Sequence, residues 1–199
     1  MNDYAATFEQ TWADPANTRY ELPPVDVNRT LAERYELSEP LVFTQDMLWD
    51  MEVRKARRPD LFIPTVVAAG SADSWGEGDT FVRRSMQRSW TAPEEYTLVL
   101  ERTHVDHATR MVTFLGTPEH PGPDGELLRA GDLQPIFHVQ HGAGGTQDQP
   151  LNLWRIVHLT DAVDTGLLRV FDRMAENPWL PEFVEIYVRD VLGVGLTRR

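Results

Sequence analysis

The 199-residue chain contains no cysteine. That excludes a disulfide framework, a zinc–thiolate centre and a cysteine nucleophile, and it fits a reducing compartment. Positive charge is scarce: 19 Lys and Arg face 31 Asp and Glu, a net charge of −12. Nucleic-acid binding relies on cations that neutralise phosphates, and this field opposes it. The one dense basic stretch, Arg54–Arg58, reads as a solvated helix end. Long apolar runs are missing too. No segment approaches the roughly 20 apolar residues that span a bilayer. Met1–Gln10 has neither a basic start nor an apolar run, so no signal peptide is expected. The expectation is a soluble, cytoplasmic protein with no membrane or nucleic-acid partner.

What is present suffices for a core. At 41% apolar residues the chain can bury one without metal or disulfide staples. Residues 1–28 are polar and contain Pro15, Pro23 and Pro24, so they read as an N-terminal arm: either a short helix with an extended stretch, or a flexible tail. Residues 29–199 read as a single domain. Arg29–Val42 suits a first strand. Thr44 is a helix N-cap candidate, with Met47, Leu48 and Met51 at helical spacing behind it and Lys55–Arg58 at the C-terminal end. Pro59 opens a second short helix that Pro64 closes.

Strand signals follow: 65–72, 80–89, 96–103, 110–116, 134–141 and 151–160. The 117–132 stretch, with Pro118, Pro121 and Pro123, reads as a loop. Gly142–Gly145 reads as a flexible hairpin connection; it lacks the lysine of a phosphate loop. The last segment is helical. Leu167, Leu168, Phe171 and Met174 share a face; Asn177, Pro178 and Pro181 interrupt the helix, and Leu180, Phe183, Val184, Tyr187 and Val191 then continue an apolar stripe to Gly193. Consecutive strands on short turns imply an antiparallel meander. The expected class is α+β: a curved antiparallel sheet of about seven strands wrapped around a long C-terminal helix, with two short helices after the first strand, enclosing an apolar cavity. That is the helix-grip arrangement.

Three stretches carry a resemblance: Thr44-Gln45-Asp46-Met47-Leu48-Trp49, Lys55-Ala56-Arg57-Arg58-Pro59 and Phe62-Ile63-Pro64. It continues in Thr80-Phe81-Val82-Arg83-Arg84, in Glu101 and in the final strand, covering residues 36–160. The chain resembles the AtaL-like family of the SRPBCC superfamily, helix-grip proteins related to the birch pollen allergen and START domains. The resemblance implies a cavity for a small hydrophobic molecule, and service in secondary metabolism, where relatives are associated with polyketide-type pathways and ring closure.

No complete catalytic signature is present, and no cofactor or metal is expected. His104-Val-Asp-His107 sits at an expected turn and lacks metal-site spacing. The sheet offers a better constellation. A turn near Pro93 places Arg84 opposite Glu101 and Met86 opposite Val99; a turn near Asp106 places Glu101 across from Val112, beside Phe114. Inside a cavity, Arg84 would hold a ligand oxygen and Glu101 would move a proton; on the outer face they form an ordinary cross-strand ion pair. The last hairpin pairs His138 with Trp154 and puts His158 on the same face. There His138 is either a general base or a hydrogen-bonded structural histidine. The candidate catalytic set is Arg84, Glu101 and His138. Candidate ligand contacts are Trp49, Met86, Phe114, Trp154, His158, Phe171 and Tyr187, each of which also suits a core position. Two functions compete. The preferred one is a cofactor-independent cyclase or dehydratase, a lyase-type acid–base catalyst acting on a hydrophobic polyketide-like intermediate. The other is a non-catalytic carrier of a hydrophobic ligand. The oligomeric state stays open, a homodimer included.

Overall fold

The computed structural model describes residues 3–199. A large antiparallel sheet forms the body. Its strands are β1 (Thr18–Glu21), β2 (Val25–Asp26), β4 (Asp73–Glu77), β5 (Thr80–Arg88), β6 (Tyr96–Asp106), β7 (Met111–Gly116), β10 (Phe137–Gly145) and β11 (Pro150–His158). They run in the order β1-β11-β10-β7-β6-β5-β4, with β2 pairing the far end of β11. Two small pairs stand apart: β3 (Tyr35–Leu37) with β12 (Leu196–Arg198), and β8 (Glu119–Pro121) with β9 (Leu127–Arg129). The second pair lies in the stretch read from sequence as a plain loop. No helix among the described residues is long and apolar enough to cross a membrane.

The arm is built into this body. Met1 and Asn2 lie outside the described residues. Helix α1 (Tyr4–Ala13), capped by Asp3, lays Phe8 on Leu115 and Val157 on the back of the sheet. After it, β1 hydrogen-bonds along β11, with Thr18 opposite His158. The strand expected over Arg29–Val42 is instead helix α2 (Val27–Arg34) followed by the short β3. Asp26 accepts from the Arg29 N–H as its N-cap, and Val27 and Leu31, four residues apart, bury one face.

Helix α3 (Gln45–Arg57) starts where Thr44 accepts from the Met47 N–H, as its sequence suggests. It crosses the concave face. Its first turn is tied to the sheet: Gln45 Nε2 donates to the Ala143 carbonyl, and Arg110 Nη2 lies 2.6 Å from Asp46 Oδ1. The short α4 (Pro59–Phe62) follows. The 65–72 segment expected as a strand contributes a single bridge, Val67 to Gln87. The C-terminal helix is interrupted at Asn177, Pro178 and Pro181, as its sequence suggests, into α5 (Thr165–Ala175) and α6 (Glu182–Ile186), the latter running on into a π-helical turn, Tyr187–Val191. The break has a cause. Pro178 and Pro181 have no N–H to continue the ladder, and Asn177 Oδ1 instead accepts from the Trp179 N–H. Gly142–Gly145, expected as loop, extends β10 to its pairing of Gly145 with Pro150.

Candidate functional site

Between the concave face, α2 and the broken C-terminal helix lies a cavity of about 560 Å³. Its walls are Trp90, Phe137, Val139, Trp154 and Phe183. Its mouth is formed by the 22–26 segment and Arg29, Glu33 and Arg34 of α2 on one side, and by Met174, Pro178, Trp179 and Glu182 on the other. Its polar floor holds Arg83, Glu101, His141 and Asn152. Two buried charge clusters make up that floor.

The first spans β5 and β6. Arg83 is directly opposite Glu101, and Arg83 Nε donates to Glu101 Oε2 at 2.6 Å. Arg83 Nη1 donates to the Ala56 carbonyl, and the guanidinium lies 4.0 Å from the Phe114 ring centre. Arg83 Nη2 and Glu101 Oε1 have no hydrogen-bond partner among the described residues. Both side chains line the cavity.

The second cluster joins α3 to β10 and β11. Lys55 Nζ lies 2.7 Å from Glu52 Oε2 and 2.7 Å from His141 Nδ1, and Asn152 Nδ2 donates to Glu52 Oε1 at 3.0 Å. The ammonium also sits 3.6 Å from the centre of the Phe183 ring. Burial pulls the Lys55 ammonium down to about 8, against the opposing pull of Glu52. Burial, then the Lys55 charge, pulls His141 down to about 4. Burial pushes the Glu52 carboxyl up, but Lys55 and His141 outweigh it, and Glu52 lies below the usual carboxylate range.

The residues expected from sequence fall in several places. Glu101 and Trp154 line the cavity. Arg84 does not, because the β5–β6 register differs by one residue: Arg84 is opposite Leu100 and its side chain meets Asp73 on the outer face. A shift of one residue exchanges faces, so Arg83 takes the inner position and Met86, opposite Leu98, points outward with Arg84. Glu101 pairs with Gly116 on β7 rather than Val112. His138 is opposite Val157, not Trp154; the partner of Trp154 is His141. Phe137, Val139 and His141 face the cavity, so alternation sends His138 to the opposite face, where burial lowers its pKa.

Phe114 lies beneath Arg83 without lining the cavity. Phe171 is core, packed on Trp90, Trp154 and His158. Buried His158 has no partner for either ring nitrogen among the described residues, and burial pulls it down to about 4. Tyr187 donates to Asp50 from a separate core cluster that includes Phe43. Trp49 donates to His107 Nδ1 at the rim of the sheet.

Lys55, Glu52, His141, Asn152 and Arg83 were not singled out from sequence, yet a signal existed. Glu52 and Lys55 fall on the same α3 stripe as Leu48 and Met51, so two charges occupy the buried face of an amphipathic helix.

No family model and no curated protein sequence matches the chain. Solved structures do. The Zhui aromatase/cyclase from Streptomyces sp. R1128 aligns over 87% of this chain and 95% of its own, at 14% identity and a TM-score of 0.54. Ara h 8.0201 aligns over 86% and 99%, at 9% identity and a TM-score of 0.51. The chain therefore shares its fold with both: a large antiparallel sheet with packed helices, of the helix-grip type.

Proposed function

We propose that this protein binds a largely apolar, oxygen-bearing small molecule in its cavity and catalyses a cofactor-independent acid–base reaction on it, a cyclisation or dehydration of a polyketide-like intermediate. The observation that carries this reading is the Arg83–Glu101 pair, buried at the floor of an aromatic-walled cavity, with Arg83 Nη2 and Glu101 Oε1 free of hydrogen bonds among the described residues. Arg83 Nη2 is the donor for a carbonyl or enolate oxygen. Glu101 Oε1 is the acceptor for a proton on the adjacent carbon. Trp90, Trp154, Phe137 and Phe183 exclude water, which strengthens both interactions. A positioned base of this kind contributes on the order of 10²–10⁴ in rate. The fold neighbour named as an aromatase/cyclase supports a ring-forming reaction. Kinship to the AtaL-like family rests on Lys55–Pro59 and Phe62–Pro64, which contribute Lys55 behind the floor and Ile63 to the lining.

A second reading, a carrier without chemistry, draws on one specific observation. Glu101 is already ion-paired with Arg83 at 2.6 Å, so the two can serve as a fixed polar anchor for a ligand without any proton transfer.

Native mass spectrometry of the purified protein, with an organic extract of the same sample, separates the two. The expected result is a bound aromatic or polyketone compound. Its linear precursor should then be turned over by the wild type and not by Glu101→Gln. A bound compound that passes through unchanged, with equal affinity in both proteins, would favour the carrier.

A further inference from the structure

The second charge cluster has a directional chemistry. His141 Nδ1 faces Lys55 Nζ at 2.7 Å and Glu52 Oε2 at 3.6 Å. An ammonium can only donate, so a hydrogen on Nδ1 would set two donors against each other. Lys55 keeps its charge through Glu52 at 2.7 Å and the face of Phe183. Nδ1 is therefore the acceptor, and the ring hydrogen belongs on Nε2. The ring cannot easily turn away. Phe114, Trp154 and Phe183 meet it edge to face, with centroids 5.8, 6.0 and 5.9 Å distant. Nε2 has no partner among the described residues, and His141 lines the cavity.

We propose that His141 is the proton donor of the cavity: Lys55 fixes it as the neutral tautomer with hydrogen on Nε2, directed at a carbonyl, enolate or hydroxyl oxygen of the bound ligand, and returns a proton from behind when that hydrogen is given up. This deepens the reading above and rests on its ligand-filled cavity. Lys55 and Glu52 from α3 and Arg83 from β5 are the charged groups around the ring, and Asn152 holds Glu52 in place.

For a β-hydroxy carbonyl substrate the step balances. Glu101 takes the proton of the carbon next to the carbonyl, and the electron pair forms the new C=C bond. The C–O bond at the β-carbon breaks, and the departing hydroxyl takes the hydrogen of His141 Nε2 and leaves as water. A Lys55 proton moves to Nδ1. The site ends with Glu101 protonated, His141 neutral with its hydrogen on Nδ1, and Lys55 as the free amine. No oxidant or reductant enters.

The test needs no knowledge of the natural ligand. Long-range ¹H–¹⁵N correlation of the histidine side chains at pH 7 reads the tautomer of His141 in the wild-type protein. Two probes of similar shape, 2-naphthoate and 2-ethylnaphthalene, are then titrated into wild type and His141→Phe. Expected is a hydrogen on Nε2 that shifts with 2-naphthoate and not with 2-ethylnaphthalene. The variant should bind 2-naphthoate about tenfold more weakly and 2-ethylnaphthalene unchanged. In Lys55→Met, Glu52 becomes the nearest charge, and the hydrogen should move to Nδ1 or the ring should become charged. Should that variant fail to fold, the wild-type tautomer still decides. A hydrogen on Nδ1 in the wild type overturns the proposal, as does undiminished binding of 2-naphthoate by His141→Phe. If neither probe enters the cavity, the ligand-binding reading falls and this one with it. If both enter and His141→Phe changes nothing, only the donor role falls.

Discussion

Arg83 and Glu101 face each other across β5 and β6, both nearly inaccessible, with the guanidinium held between the carboxylate, the Ala56 carbonyl and the Phe114 ring. Both charges are largely withdrawn from bulk water. Removing one partner leaves the other buried and uncompensated, at a cost of about 3–5 kcal/mol. Glu101→Gln and Arg83→Met should each lower stability by that order, and the double variant by clearly less than the sum. Urea unfolding of the three proteins measures this. Additive effects would mean the two groups do not act as a pair.

His158 contributes a pH dependence of its own. Its pKa is about 4 in the folded protein, against an ordinary value of 6.5, because burial disfavours the imidazolium. Between those values the unfolded chain binds more protons than the folded one. Stability is therefore full above pH 6.5 and falls as pH drops towards 4, by about 1.4 kcal/mol per pH unit for this ring. His141 adds the same sign of slope over the same window. His158→Phe should raise stability at pH 5 and flatten the acid limb, since its two unpartnered nitrogens gain nothing from being polar. Thermal unfolding from pH 4 to 8 checks it; an unchanged acid limb would place the slope elsewhere.

Helix α1 is part of the fold rather than an appendage. Phe8 is wholly buried against Leu115 and Val157, and Arg155 on β11 reaches Glu9 at 2.7 Å. Phe8→Ala should cost roughly 3–5 kcal/mol. A loss below about 0.5 kcal/mol, the level of a surface change, would mean that α1 is not seated on the sheet.

Three of the six tryptophans, Trp90, Trp154 and Trp179, line the cavity. A planar aromatic probe that enters should quench them. Trp90→Phe and Trp154→Phe should each remove part of the quenching, while Trp12→Phe, on the back of the sheet, should leave it intact. Equal loss in all three variants would put the probe outside the cavity.

Much of the architecture was legible along the chain. Thr44 and the Leu48–Met51 spacing give α3, and alternating apolar residues with Gly and Pro punctuation give most strands of an antiparallel meander. These signals are local, set by caps and by side-chain period. The α2 segment misled because its cap, Asp26, lay just outside the stretch read as a strand. The interruption of the terminal helix at Asn177, Pro178 and Pro181 was legible too, because proline has no N–H with which to continue the ladder.

The sequence by itself determined the composition of the site: a cysteine-free acidic chain whose charged residues include Glu101 on a strand and Lys55 on an apolar helix face. Only the tertiary structure decided which charges meet. A strand presents alternate residues to opposite faces, so a register displaced by one residue chose Arg83 over Arg84, and the β10–β11 pairing chose His141 over His138. The meeting of Lys55 with His141 joins residues 86 positions apart, and it depends on how α3 lies across β10, which local spacing does not specify.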